Sequence, residues 1–353
     1  MKAKKYHLLF ILFCFALSVC SAQQVYKVFL VGDAGEDEMT GETLDSLKSK
    51  MQNSAQGAVV FLGDNSYKNT FFGLVEGFKG FDSSHITQNK LKSQLNTLDG
   101  YKGSVFFVPG NHDWWNTKYT KGKKALKMEE SFIEANLSKN TTIQNPNNVF
   151  LPKNGSPGPE SVELNNKTLR IVFIDTEWLI LLGFKSTPAA NHAMEQQFYT
   201  RLDSVLAAAT AAKQTIIVVA HHPVYTTGKL HNKPFKSPGF MARIKQSSRS
   251  FPSYKTMADK LTAIFEKYPG LYYATGHLHA LQYHTLNNVH YIISGSGSKT
   301  RHMKGENIAA LGANVTDDYM IWNEKGFFEI DFSGGQTTTI MYYNSGKESA
   351  TIH

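Results

Sequence analysis

Six short apolar, β-branched runs, five of which stop at a residue able to hold a metal ion or a phosphate, constrain this chain more than any other feature. Residues 25–31 end at Gly32-Asp33, 58–62 at Gly63-Asp64, 104–108 before Gly110-Asn111, 169–174 at Asp175, 215–219 before His221, and 271–274 before Gly276. Runs of this length and composition read as buried strands. Helical spacing over 43–51 makes the opening strand, helix, strand, and such a crossover implies parallel pairing. Further helices are expected over 88–98, 123–135 and 193–212. The alternation defines an α/β fold with a βαβαβ core and enough strand for two packed sheets. Ligands of parallel sheets collect beyond the carboxyl ends of the strands, which is where these polar residues fall. Near the C-terminus, 326–332 and 337–343 flank Ser333-Gly334-Gly335 as a β-hairpin. Residues 145–159 read as a polar surface loop. No repeat or Pro-rich linker divides the chain, so one domain over 23–353 is expected after a leader at 1–22.

That leader has Lys2, Lys4 and Lys5 ahead of an apolar run from Leu8 to Val19, then Cys20-Ser21-Ala22 before Gln23. This is the pattern of a secretory signal peptide cleaved after Ala22, and the run is shorter than the roughly 20 apolar residues that span a bilayer. A periplasmic or extracellular location follows, with a lipid anchor on Cys20 as the lesser alternative, because Val19 is a poor residue to precede a lipidated cysteine. Both cysteines, Cys14 and Cys20, lie in the leader, so the mature chain has no disulfide to rely on. Losing the three leader lysines takes the formal charge from +8 to +5. The remaining basic residues are scattered, with no basic and aromatic stripe of the kind that binds nucleic acid. A mild positive field of this size suits anionic substrates.

Five motifs occur in order: Gly32-Asp33-Ala34-Gly35, Gly63-Asp64-Asn65-Ser66-Tyr67, Gly110-Asn111-His112-Asp113, Val218-Val219-Ala220-His221 and Gly276-His277-Leu278-His279. Singly each has an ordinary explanation, since Gly-Asp after a strand is usually a turn or a helix cap. His222 follows His221 directly, so one of that pair can be a packed residue. Jointly they supply oxygen and nitrogen donors without sulfur, the set that suits Zn, Fe or Mn. A pair of metals needs a bridging carboxylate, terminal ligands and open positions, and the motifs provide these.

The set resembles the calcineurin-like metallophosphoesterases, whose blocks read Asp-x-His, Gly-Asp-x-x, Gly-Asn-His-Asp or Glu, a strand-end His, and Gly-His-x-His. The departure is Gly35, where most of that superfamily carries a ligand histidine. Tyr67, three residues after Asp64, stands where the purple acid phosphatases place a tyrosine ligand. The likeness to single-domain, mammalian-type tartrate-resistant acid phosphatases continues through residues 62–67, 222–225, 276–283, 291–297 and the closing hairpin. It implies a sandwich of two mixed β-sheets flanked by helices. It also implies a first metal on Asp33, Asp64, Tyr67 and His279, and a second on Asp64, Asn111, His221 and His277. A phenolate ligand favours Fe(III) at the first position, with Fe(II), Zn(II) or Mn(II) at the second.

By the same resemblance, His112 is the proton donor to the leaving group and Asp113 its orienting acid, while Asn111 and His231 contact substrate. Trp114 replaces a second histidine common in the mammalian-type enzymes, and an indole there could stack on an aromatic substrate. The expected activity is hydrolysis of phosphate monoesters, on small molecules or on proteins. Phosphodiester or nucleotide hydrolysis is the alternative that the same residues allow. A metal-binding surface or adhesion protein with a vestigial site is the competing class. Nothing in the residues bears on oligomeric state.

Overall fold

The computed structural model describes residues 25–36, 41–54, 56–67, 85–114, 119–139, 142–182, 187–226, 251–300, 318–321, 324–333, 336–343 and 347–352. In chain order these form β1 (Tyr26–Val31), α1 (Glu42–Gln52), β2 (Gly57–Phe61), α2 (His85–Thr97) and β3 (Ser104–Phe107). A single turn α3 (Asn111–Trp114), then α4 (Tyr119–Leu137), β4 (Glu160–Leu164), β5 (Leu169–Phe173), α5 (Thr176–Leu181), α6 (Ala190–Ala211) and β6 (Thr215–Val219) follow. The remainder is α7 (Phe251–Phe265), β7 (Tyr272–Thr275), β8 (Leu281–Leu286), β9 (Val289–Ser294), β10 (Asp318–Ile321), β11 (Gly326–Ser333), β12 (Gln336–Tyr343) and β13 (Lys347–Ile352).

Two mixed sheets result, in the orders β13-β12-β11-β1-β2-β3 and β10-β8-β9-β7-β6-β5-β4. In the first, β1, β2 and β3 are parallel, and β11 closes antiparallel on β1 with Val28 opposite Ile330. In the second, β5, β6, β7 and β9 are parallel, with β4 and β8 antiparallel at their flanks.

The strands are apolar throughout because both of their faces are covered. Val28, Leu30, Ala58, Val60 and Phe106 point between the sheets and meet Ile171, Phe173, Ile217, Val219 and Ala274. Their neighbours Phe29, Val31, Val59, Phe61 and Phe107 point outward and join Leu44 and Leu47 of α1, Leu91 of α2 and Leu126 of α4. On the second sheet Val172, Val218 and Tyr273 face outward onto Phe198 and Leu202 of α6 and Leu261 of α7. The period-two alternation of a strand thus sorts one continuous apolar run into two cores.

The expected strands and helices are present with shifts of a few residues at their ends, and the terminal hairpin pairs Ser333 with Gln336. The segment 145–159 differs from a plain surface loop. Val149, Phe150 and Leu151 are buried, and Phe150 bridges Phe107 at the edge of β3. Its apolar triplet docks where β3 would otherwise expose an open edge. No described helix is long and apolar enough to cross a membrane.

Candidate metal centre

The loops that leave β1, β2, β3, β6 and β7 converge at one end of the sandwich. The first is stapled in place: Asp33 N donates to Gly63 O (3.0 Å), Gly35 N to Asp64 O (3.1 Å), and Tyr67 N to Gly35 O (3.0 Å). Ser298 closes it from the far side, its backbone N and Oγ donating to Asp33 O at 3.0 and 2.6 Å. Asp33, Asp64, His277 and His279 all adopt left-handed backbone conformations, with φ of 56, 53, 70 and 48°. Such φ values are costly for residues with a Cβ and collect at functional sites.

Gly35 carries no side chain because there is no room for one. A Cβ there would lie 2.4 Å from both Asn65 C and Ser66 N, which are backbone atoms that cannot swing aside. Gly63 is equally constrained, with φ +87° and a Cβ position 2.7 Å from His221 Nδ1.

Two sets of donors face each other across Asp64. Tyr67 Oη donates to Asp33 Oδ1 (2.6 Å) and lies 3.2 Å from His279 Nε2, which is 3.3 Å from Asp33 Oδ1. On the other side Asn111 Oδ1 lies 3.1 Å from His221 Nε2 and 3.0 Å from His277 Nδ1. Asp64 Oδ1 is 3.3 Å from His221 Nε2, and its charge also acts on Tyr67. His221 Nδ1 lies 2.8 Å from Leu62 O and donates to it, which leaves Nε2 as the ring nitrogen that faces the cluster. The seven residues singled out from the motifs are therefore brought together, and a carboxylate–histidine group of Asp33, Asp64 and His221 lies within metal-binding reach.

The electrostatics are those of a site that wants cations. Burial would raise Asp64, but the positive fields of His221 and His112 overcome it and hold the carboxylate well below its usual range. Burial opposes His221 too, yet Asp64 pushes its imidazole up to about 9. Burial and the Asp33 and Asp64 carboxylates drive the Tyr67 phenol well above its ordinary value. Hard oxygen and imidazole donors at mutual distances near 3 Å, with no sulfur, fit ions of the Zn, Fe or Mn type.

His112 stands at the rim with its side chain 34% exposed, Nε2 3.9 Å from Asp64 Oδ2 and its ring 4.6 Å from that of Tyr67. Its backbone N donates to Asp64 Oδ1 at 2.8 Å. Asp113 is buried and spends its carboxylate on Gly110 N (2.7 Å), Ser66 N (3.2 Å) and the Asn65 amide (3.2 Å), not on the His112 ring. It braces two ligand-bearing loops against each other. Asn65 also reaches Glu129, buried on α4, at 3.3 Å. His231 lies outside the described residues.

Trp114 does not face a substrate. Its ring is buried, and Nε1 donates to Asp175 Oδ2 at 2.8 Å, so an indole stacking platform at this position is ruled out. Asp175, two residues beyond β5, caps α5 by accepting from Trp178 N at 2.9 Å. One further feature had no signature in the motifs, and one was read there only as a packed member of the His221-His222 pair. Lys299 Nζ lies 3.5 Å from the Tyr67 ring centroid and 3.0 Å from Glu36 Oε2. His222 packs its ring 4.5 Å from that of His277. Only the tertiary apposition of loops reveals the place of Lys299 and which histidine of the pair is the packed one.

A two-sheet α/β sandwich with strand-end carboxylates, an asparagine and imidazoles around one point defines a metal-dependent phosphoester hydrolase. The chain belongs to the calcineurin-like phosphoesterase family, whose model matches residues 26–281. No curated protein matches it in sequence. Among solved structures it is similar to GAP50, the anchor in the inner membrane complex of Plasmodium, at 17% identity and TM-score 0.57, covering 93% of this chain and 88% of that one. It is also similar to a dimetal phosphatase from Danio rerio, at 11% identity and TM-score 0.51 over 93% and 99% of the two chains. A PhoD structure matches at 9% identity and TM-score 0.52 over 94% and 73%. At these identities the likeness is one of fold.

Proposed function

We propose that the chain hydrolyses phosphate monoesters at a binuclear centre of the purple acid phosphatase kind. Fe(III) would sit beside Tyr67, and Fe(II), Zn(II) or Mn(II) at the second position. The observation that carries this reading is the pairing of a loop too tight for a side chain at Gly35 with the Tyr67 hydroxyl placed against Asp33 and His279. The position of the superfamily's histidine is sterically closed, and a phenol occupies the space a ligand would fill.

Asp33, Asp64, Tyr67 and His279 would hold the first ion, and Asp64, Asn111, His221 and His277 the second. When bound, the pair supplies charge for the ester oxygens and acidifies a water. The chain's own residues do the rest. Leu62 O fixes the His221 tautomer, Asp113 locks the loops that carry Asp64 and Asn111, and His112 at the rim exchanges a proton at the leaving oxygen. Substrates would be phosphorylated small molecules or proteins. Residues 1–22 would direct export, so that the mature chain begins at Gln23.

The test is elemental analysis with a visible spectrum of wild type and Tyr67→Phe. A tyrosinate-to-iron band in the first and its absence in the second are expected. A colourless wild type containing only zinc would sink the iron assignment. Relative rates on aryl mono- and diesters decide between monoesterase and diesterase.

A further inference from the structure

Lys299 is a cation in direct contact with the donor set that the site as described leaves unused. It follows Ser298, whose backbone N and Oγ both bind Asp33 O. That anchor lays the Lys299 ammonium on the Tyr67 ring, 3.5 Å from its centroid, with no other side chain between them. His112 packs on the same ring, at 4.6 Å between centroids, and the Lys299 charge acts on it. The side chains of Lys299, His112 and His279 are 29, 34 and 29% exposed, while Tyr67 and Asp33 beneath them are buried. Among the described residues an ammonium and two imidazoles thus line the way in to the first donor set.

Glu36 does not cancel this charge. Its carboxylate lies 3.0 Å from Lys299 Nζ and 3.9 Å from Lys90 Nζ of α2, so one anion faces two ammonium groups. Lys90 is buried and donates to Tyr67 O at 2.8 Å, whereas the Lys299–Glu36 pair is open to water on both sides. An exposed pair of this kind is weak, and another anion can take the place of its carboxylate. The rim therefore carries a surplus positive charge, which draws anionic groups towards it. The ester phosphate would be held by the ions themselves. Lys299 stands instead beside His112, the residue placed at the leaving oxygen. We propose that Lys299 binds a second anionic group, carried on the leaving portion of the substrate, so that phosphate esters of hydroxy acids are preferred to those of uncharged alcohols. A lysine suits this task because its ammonium is a compact point charge on a flexible stem, which follows a carboxylate without demanding one geometry. The assignment rests on the phosphomonoesterase reading and names the substrate class for that same site.

The phosphate esters of 3-hydroxypropanoate and 3-hydroxypropanamide have the same size and differ in one charge, so they isolate the effect. On the metal-loaded full chain at low salt, kcat/KM should favour the carboxylate ester by about fivefold, and the advantage should fall as salt is added. Lys299→Gln should bring the ratio close to one through KM, and Lys299→Arg, which keeps the charge, should retain most of it. Metal content and thermal midpoint of each variant establish that the site is intact. A general attraction of carboxylates to the metal pair would survive Lys299→Gln, and that outcome overturns the inference. So does a wild-type ratio near one, or an equal loss on both esters, which would put Lys299 on the scissile phosphate. Calorimetric titration with 4-phosphonobutanoate and 4-phosphonobutanamide, in which a methylene replaces the ester oxygen, separates recognition from chemistry. A wild type that binds both phosphonates but cleaves neither ester removes the hydrolase reading, and the phosphonate binding ratio then still decides the role of Lys299.

Discussion

Gly35 and Tyr67 show what single residues reveal. The absence of histidine at position 35 is visible in the sequence, but its reason is a distance: a Cβ would sit 2.4 Å from the backbone of Asn65 and Ser66. Even Gly35→Ala should cost about 3 kcal/mol, because backbone cannot yield as a side-chain tip can. Gly35→His should cost at least as much and not restore the ligand common elsewhere in the superfamily. Urea unfolding of both variants checks this, and a wild-type midpoint would mean that the 63–67 loop repacks freely. The donor residues were legible because each follows an apolar run, and the structure gathers all seven. The roles of their neighbours were not. Trp114 reads as a site residue by its position after His112, yet its indole turns inward to Asp175. Asp113 reads as a partner for His112 and serves the loop backbones instead. Which way a side chain turns from a one-turn helix depends on packing that no local spacing encodes.

Among the elements, α5 is short and depends on its cap. Asp175 accepts from Trp178 N and from the Trp114 indole, and burial pushes its carboxyl up to about 7 despite those bonds. Against about 3.9 in an unfolded chain, folding then takes up a proton between pH 4 and 7. The contribution is full below pH 4 and is lost as pH rises through 7, with a slope of up to about 1.4 kcal/mol per unit. Asp175→Asn does not titrate and keeps one acceptor oxygen in place of two, for a constant cost of about 1–3 kcal/mol. The wild-type advantage in unfolding free energy should therefore shrink steadily from pH 4 to 7. Titrations elsewhere in the molecule cancel in the difference between the two proteins, except that of Glu177, whose carboxyl burial and Asp175 both raise. A gap that is flat with pH would show that the Asp175 carboxyl has its ordinary value. The parallel strands were readable from length and β-branching, whereas the β8–β9 hairpin was not anticipated. Its signal was present in Asn287-Asn288, both left-handed at φ 52 and 60°, as a two-residue hairpin turn of the primed type requires.

For the molecule as a whole, the consequence of the topology is that the donor set is shared between the sheets. Asp33, Asp64, Tyr67 and Asn111 follow strands of one sheet, and His221, His277 and His279 follow strands of the other. Bound ions would tie the two layers at this end only, while the interleaved core of Val28, Val60, Phe173 and Ile217 holds them elsewhere. Four residues there keep left-handed backbone conformations, and a ligand that binds only the folded chain offsets such strain. Stripping the metal with a chelator should lower stability by about 4 kcal/mol where the ion stood a thousandfold above its dissociation constant. Asp64→Asn, which removes the carboxylate proposed to be shared by the two ions, should already sit near the stripped level and respond little. The loss should also be local. Amide exchange should quicken in the loops after β1, β2, β6 and β7 and change little in the β11–β12 hairpin, whose pairing involves none of the donors. If exchange instead rose uniformly, the ions would be supporting the whole sandwich and not one end of it. If neither midpoint nor exchange moved when metal analysis showed the site empty, the tie between the sheets would rest on the apolar core alone.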